Sequence, residues 1–381
     1  MVPVNGEHDV VIAGGGLFGL VLAEQIVTRT PLRVLVVEHA GHLGGLCWSQ
    51  RDPHTGIEYC PYGTHVMATS DARVWEWTTA RVRMLPYRHT VYAAVAGRLV
   101  PMPLGLEAVE AAYGRPMTPH KARAAVEVDT APYRDRPVAN VRALALAQVG
   151  PRLYEMFVRG YVTAQWGEDP ARLVPEVFAE RFGISYAPSC GYRADAQWQG
   201  LPYGGYGALI GTLTDHPRLT VHLGRDYLTP PWPRCRRLLV VTTPIDAHFG
   251  FQLGPLQRRS LHLDWQSVVA RDVQKEPVVT YPDGTRPYYR SHAPGLLPWN
   301  TGQDEGDRVL VGFESAGPGD HQVDFVVRSP SNYELASKYR QLATAKPGVI
   351  LAGRGTTFYD DMGTTIGRAL DLADRLVPHL K

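Results

Sequence analysis

The segment Asp9–Gly45 constrains the fold of this chain more than any other. It reads DVVIAGGGLFGLVLAEQIVTRTPLRVLVVEHAGHLGG. Val10 to Ala13 form a short apolar run with the β-branched content of a buried parallel strand. Gly14, Gly16 and Gly19 follow at once in G-x-G-x-x-G spacing, with Leu17 and Phe18 between them. Leu20, Leu22, Ala23 and Ile26 mark one face of a helix, and Val34–Val37 a second buried strand that ends in Glu38. Strand, glycine turn, helix, strand and acid in this order are the context in which the motif binds a dinucleotide. Gly14 permits the tight turn, Gly16 lets backbone N–H groups approach a pyrophosphate, and Gly19 lets helix and strand pack closely. The helix N-terminus adds partial positive charge for the phosphates. Glu38 can accept hydrogen bonds from a ribose diol, with His39 beside it. Gly44, Gly45 and Leu46 bring the next segment close to the dinucleotide.

Composition narrows the class. The chain has 381 residues, 44% hydrophobic and 20% charged, as expected of a globular protein with a sizeable core. A net charge of +2 gives no electrostatic case for nucleic acid or membranes. Arginine outnumbers lysine 34 to 5, the mark of a GC-rich genome before it is a functional clue. The four cysteines, Cys47, Cys60, Cys190 and Cys235, are scattered without a C-x-x-C pair, so neither a zinc site nor a disulfide framework is indicated, and no metal is expected. No apolar run reaches the ~18 residues of a membrane span. The N-terminus lacks signal-like blocks, which reads as a cytoplasmic protein.

Further along, the stretch from Asp71 (RVWEW) is helical in pattern, and Thr90–Val100 reads as a hairpin turning at Gly97-Arg98. From Leu104 to Glu180 the spacing is helical and suggests an insertion. It ends at Trp166-Gly-Glu-Asp-Pro170, read as a loop bearing a large aromatic. Gly191–Gly207 is aromatic and glycine-rich, too irregular for a core element. Leu219–Leu223, Arg237–Thr243 and Val349–Gly353 return to buried-strand character, separated by a β-rich part over Ser260–Arg328. A last helix starts near Gly363, giving a second helix N-terminus able to face the cofactor. The fold expected is α/β: a discontinuous Rossmann-like dinucleotide domain (1–85, 204–245 and 340–381) carrying two insertions. One is a helical domain (102–190, with a mobile loop near 164–175). The other is an antiparallel β-sheet substrate domain (86–101, 191–203 and 246–339).

Several segments in series resemble the UDP-galactopyranose mutase family of flavoenzymes. They are GGGLFG with Glu38 and HLGG, YGTHVMAT, GYVTAQWG and QGLPYGGYGALI. RRSL around Arg259, RPYYR ending in Arg290, and LAGRGTTFYDDM complete the series. The resemblance implies that the dinucleotide is FAD, active in its reduced form, and that the substrate is a nucleotide-diphosphate hexose of galactose type. It implies isomerisation between pyranose and furanose, with the flavin N5 as nucleophile at the anomeric carbon. Arg259, Arg290 and Tyr359 match residues that hold the diphosphate, and His65 matches the histidine beside the flavin, where it passes a proton. Trp166 matches the tryptophan of the loop that closes over the sugar. Arg354, Asp361 and Met362 match cofactor-side positions, and Tyr192, Trp198 and Asp361 the substrate side. A homodimer is common in bacterial members.

The departures from the family lie on the nucleotide side. Ala68 stands where a second histidine is usual, Trp198 where a tyrosine is typical, and Asp320–Asn332 where a PYYP segment is expected. Arg328 is a candidate to replace the missing phosphate contact. These changes suggest another nucleotide hexose, such as a GDP-linked one. A flavin oxidoreductase and a non-catalytic flavin-binding protein are the competing readings of the same cradle.

Overall fold

The computed structural model describes residues 8–186, 191–193, 195–230, 233, 235–269, 273–301, 308–317, 323–344 and 348–380. Cys190 and positions 320–322 of the stretch that stands in place of the PYYP segment lie outside them.

A five-stranded parallel sheet organises the cofactor side. Strand β1 (His8–Ala13) is flanked by β2 (Val34–Val37) and by Cys235–Val241. The strands Leu219–His222 and Val349–Leu351 lie at the two edges. The register is tight: Val10 pairs Val34, and Val11 pairs both Leu35 and Leu239. Both faces are covered at β1 and β2, which is why these strands read as continuous apolar runs rather than alternating ones. Helix α1 (Leu17–Arg29) and the C-terminal helix Met362–Leu380 pack together over one face. All five strands lie where the hydrophobic runs placed them, and a dinucleotide site falls at their carboxyl ends.

A seven-stranded sheet holds the second core. Its order is Val323–Val326, Arg258–Val269, Arg308–Gly317, Arg290–His292, Val278–Thr280, Val91–Val95 and Arg98–Met102. Every pairing is antiparallel except that of Val278–Thr280 with Val91–Val95. The hairpin turns at Ala96-Gly97, one residue before the expected position, because both take positive φ. The helical region packs Leu106–Tyr113, Pro119–Thr130, Val141–Gln148 and Gly160–Trp166 against this sheet.

Two expectations are corrected. Gly191–Gly207 does contain a core element: Trp198–Pro202 is a largely buried strand between Met67–Thr69 and Met84–Pro86 in a separate three-stranded sheet. Partners on both sides supply the order that its Gly- and Pro-rich sequence does not advertise. Trp166 is not on the loop but is the last residue of a helix. Gly167, in the left-handed region, terminates that helix, and Trp166 is 6% exposed against Phe325. Among the described residues, Cys47, Cys60 and Cys235 are buried free thiols, and no helix is long and apolar enough to cross a membrane.

Candidate active site

The glycine cradle is built as its spacing requires. A Cβ on Gly19 would lie 2.2 Å from the Gly14 carbonyl oxygen, so helix and strand meet only because position 19 has no side chain. A Cβ on Gly16 would meet nothing within 4 Å; that space faces the start of α1, whose N-cap is Gly16 itself, with no side chain capping it. The orphan N–H groups there are free to meet an anion. The second glycine pair folds back onto the first: Gly44 N–H donates to Gly15 O at 2.8 Å, and a Cβ on Gly45 would lie 3.2 Å from the Gly16 Cα. Glu38 accepts from the N–H groups of Gly15 (2.6 Å) and Ala40 (2.7 Å). Each carboxylate oxygen has a second lone pair, so Glu38 can still accept from a ribose. Leu17 and Phe18 are buried and Leu46 half-buried, while His39 is exposed. Uncapped N–H groups, open space at Gly16 and an acid at the end of β2 fit a bound dinucleotide.

Arginines gather beyond the cradle. Arg354 follows the strand Val349–Leu351 and lies 5.4 Å over the Tyr359 ring. Arg181 and Arg328 each lie 5.8 Å from that ring. Arg181 also approaches the Tyr161 hydroxyl at 3.4 Å, and Arg290 donates to the same hydroxyl from the other side. Two of these four arginines have carboxylate partners. Arg328 is gripped by both Glu180 oxygens, at 2.6 and 2.9 Å, and its Nε donates to Tyr333. Arg290 donates to Glu314 at 3.1 Å. Arg181 and Arg354 have none among the described residues. Burial lowers the Arg354 pKa against the pull of Tyr359, Cys47 and Asp360, whereas Arg181, despite its burial, is raised by Tyr161, Tyr192 and Tyr359.

Glu314 organises the far wall. It is 4% exposed and accepts from Tyr289 (2.6 Å), His292 Nε2 (2.7 Å) and Arg290. Burial alone would raise its carboxyl, but Arg290, His292 and Tyr289 hold it well below the usual carboxylate range. His65 lies between this wall and the cradle. Its Nδ1 is 2.8 Å from the Gly63 carbonyl, which can only accept, so Nδ1 carries the proton and Nε2 the lone pair. Burial lowers its pKa to about 4; the Gly63 hydrogen bond opposes this, and the charge of Arg354 adds to it.

The remaining expected site residues are placed as follows. Arg259 does not join the arginine cluster; its guanidinium donates to the Ala316 (2.6 Å) and Ala164 carbonyls, under the helix end at Gly167. Asp361 caps the C-terminal helix through Thr364 N–H at 2.8 Å, which takes one of the free N–H groups at that helix N-terminus, and pairs with Arg193 at 2.7 Å. Met362 is buried with Leu17 and Met67. The Tyr192 N–H donates to the His89 carbonyl at 2.7 Å, and Trp198 lies parallel to Trp75 with ring centroids 6.3 Å apart. Sequence reasoning passed over Arg181, Tyr161, Glu314 and His292. A signal existed for Glu314, a lone carboxylate in the apolar strand VLVGFE; there was none for Arg181 among 34 arginines.

With this geometry in place, comparison with known proteins becomes informative. A family model described as UDP-galactopyranose mutase matches residues 156–359, and one for NAD(P)-binding Rossmann-like domains matches residues 12–79. A probable UDP-galactopyranose mutase of Klebsiella pneumoniae is 28% identical over 377 residues, spanning 97% of this chain and 95% of its own. A dTDP-fucopyranose mutase of Escherichia coli is 26% identical over 389 residues, spanning 98% of this chain and 100% of its own. A crystal structure of reduced UDP-galactopyranose mutase matches with a TM-score of 0.75 at 16% identity, over 98% of this chain and 94% of that one. Fold and matches together define a nucleotide-sugar mutase, an isomerase carried on a dinucleotide-binding sheet. The chain belongs to the UDP-galactopyranose mutase family.

Proposed function

We propose that this enzyme interconverts the pyranose and furanose forms of a galactose-type hexose carried on a nucleoside diphosphate, with reduced FAD as its cofactor. One observation carries the reading: two arginines without carboxylate partners among the described residues, Arg181 and Arg354, flank Tyr359 beside the glycine cradle. Half-buried charge without a counter-ion is unfavourable in the free protein and favourable once an anion arrives. A diphosphate diester brings about two negative charges, enough to match the surplus. The guanidinium forks suit phosphate oxygens, and Arg290, aligned by Glu314, completes the clamp. When the anomeric carbon–oxygen bond breaks, charge grows on the leaving diphosphate, and fixed cations stabilise it without reorganising.

FAD would be held by Gly14–Gly19, Glu38 and the Gly44–Gly45 fold-back, with Arg354 and Met362 on its flank. When reduced and bound, it supplies the nucleophile for the anomeric carbon. His65, its pKa lowered to about 4 chiefly by burial, offers an Nε2 lone pair that can accept a hydrogen bond or a proton beside the flavin. Family members differ in the base and sugar they are named for, UDP-galactopyranose in one and dTDP-fucopyranose in another. On the base side we infer a purine: Trp198 replaces the family tyrosine and lies parallel to Trp75 as a broad aromatic wall.

The test incubates dithionite-reduced protein with UDP-, dTDP- and GDP-hexoses and scores furanose by NMR. Furanose from any of them supports the mutase reading, and none from all three overturns it. Clearly tighter binding of UDP than GDP overturns the purine assignment.

A further inference from the structure

His292 belongs to none of the motifs that mark the family resemblance, yet it is 1% exposed at the junction of the two halves of the site. Its proton can be assigned from its neighbours. The Thr64 backbone N–H lies 3.3 Å from Nδ1 and can only donate, so Nδ1 must be the unprotonated nitrogen. The Thr64 hydroxyl, 2.9 Å away, donates to the same nitrogen. The ring proton therefore sits on Nε2 and is given to Glu314 Oε2 at 2.7 Å. That oxygen is also the one Arg290 reaches. His65, one residue beyond Thr64, has the opposite tautomer and donates from Nδ1 to the Gly63 carbonyl. The Gly63–Thr64 peptide is thus clamped from both ends: its C=O by His65 and its N–H by His292. Gly63 holds φ at +99° within this clamp, and the His292 ring stands 3.6 Å from where its Cβ would be.

We propose that His292 is a positioning residue with two separable jobs, fixing the Gly63–Thr64–His65 loop through Nδ1 and aligning the Arg290 clamp through Nε2–H and Glu314. This rests on the mutase reading for which side faces flavin and which faces diphosphate. The two jobs use different atoms, so conservative variants divide them. The polar end of an asparagine side chain reaches the Nδ1 position but not Glu314. That of glutamine reaches the Nε2 position but leaves Thr64 without an acceptor. A residue that merely fills space predicts no such division.

The experiment measures two quantities on FAD-loaded His292→Asn, His292→Gln and wild type. One is the midpoint potential of bound FAD, which reports the relative affinity for reduced and oxidised flavin. The other is the Kd of inorganic pyrophosphate. His292→Gln should change the reduced-to-oxidised affinity ratio about tenfold, a shift of about 30 mV for a two-electron couple, and leave pyrophosphate binding within about twofold. His292→Asn should do the reverse, weakening pyrophosphate about tenfold with the potential unchanged. Thr64→Val removes the hydroxyl but keeps the backbone N–H. It should move only the potential, in the direction of His292→Gln and by less, and it supplies the test if a His292 variant fails to fold. Equal effects of both His292 variants on both readouts, no effect of either, or a Thr64→Val change in pyrophosphate binding overturns the proposal. Neither readout needs turnover. A crossed pattern without mutase activity would sink the mutase reading and keep His292; turnover without the crossed pattern would do the opposite.

Discussion

Arg290 and Arg354 should respond in opposite ways to the same substitution. Arg290→Met keeps the apolar stem and removes the charge, leaving Glu314, whose side chain is 5% exposed, without its strongest cation. Removing one member of a buried pair costs about 3–5 kcal/mol; with Arg290 itself 18% exposed and His292 still donating, about 3 kcal/mol is the appropriate figure. For 381 residues the unfolding entropy is about 0.8 kcal/mol/K, so the loss reads as a fall in Tm of about 4 °C. Arg354→Met removes a cation that has no carboxylate partner among the described residues, and its Tm should stay within about 1 °C of wild type or rise. Both variants should weaken inorganic pyrophosphate by about 1.5–3 kcal/mol, roughly tenfold to 150-fold. Differential scanning calorimetry and pyrophosphate titration suffice. If Arg354→Met loses as much Tm as Arg290→Met, its charge is compensated in the free protein and the surplus-charge argument fails.

Three other outcomes are expected. Gly16→Ala should leave the Tm of the FAD-free protein unchanged and strip most of the FAD, since its Cβ meets no protein atom but points where a pyrophosphate would lie. Gly19→Ala should instead lower stability by about 1–3 kcal/mol through overpacking; equal Tm for the two would refute the cradle geometry. Gly160→Ala should destabilise and slacken the Tyr161 contact, because its Cβ would lie 1.9 Å from the Pro282 carbonyl oxygen. Stability should fall as pH drops from about 6.5 toward 4. His65 (about 4), His89 (about 3) and His292 all have folded pKa values below the unfolded value near 6.5, with burial as the leading cause. In that window the unfolded chain binds more protons than the folded one, so the stability present above pH 6.5 is progressively lost. A Tm that is flat or rising over this range would contradict the assignment.

Some of the molecule is written locally. The first two parallel strands, His8–Ala13 and Val34–Val37, are short β-branched runs buried on both faces, so composition and length suffice to place them. The cradle is equally legible, because only glycine permits those approaches and the motif lies in one continuous segment. The strand Trp198–Pro202 was hidden because its order comes from neighbours on both sides. Trp166 was placed on a loop because Gly167 lies close to the helix end in either reading. What no stretch of sequence carries is the pairing of charges across the fold. Arg328 looked like a spare phosphate ligand until Glu180, 148 residues away, took both arms of its fork. Arg181 looked like any surface arginine until packing left it beside Tyr359 without a carboxylate partner among the described residues. The sequence determined the dinucleotide fold and the family, because those depend on local spacing. Tertiary structure alone decided which arginines are neutralised and which await an anion, because a charge's environment is set by residues distant in the chain.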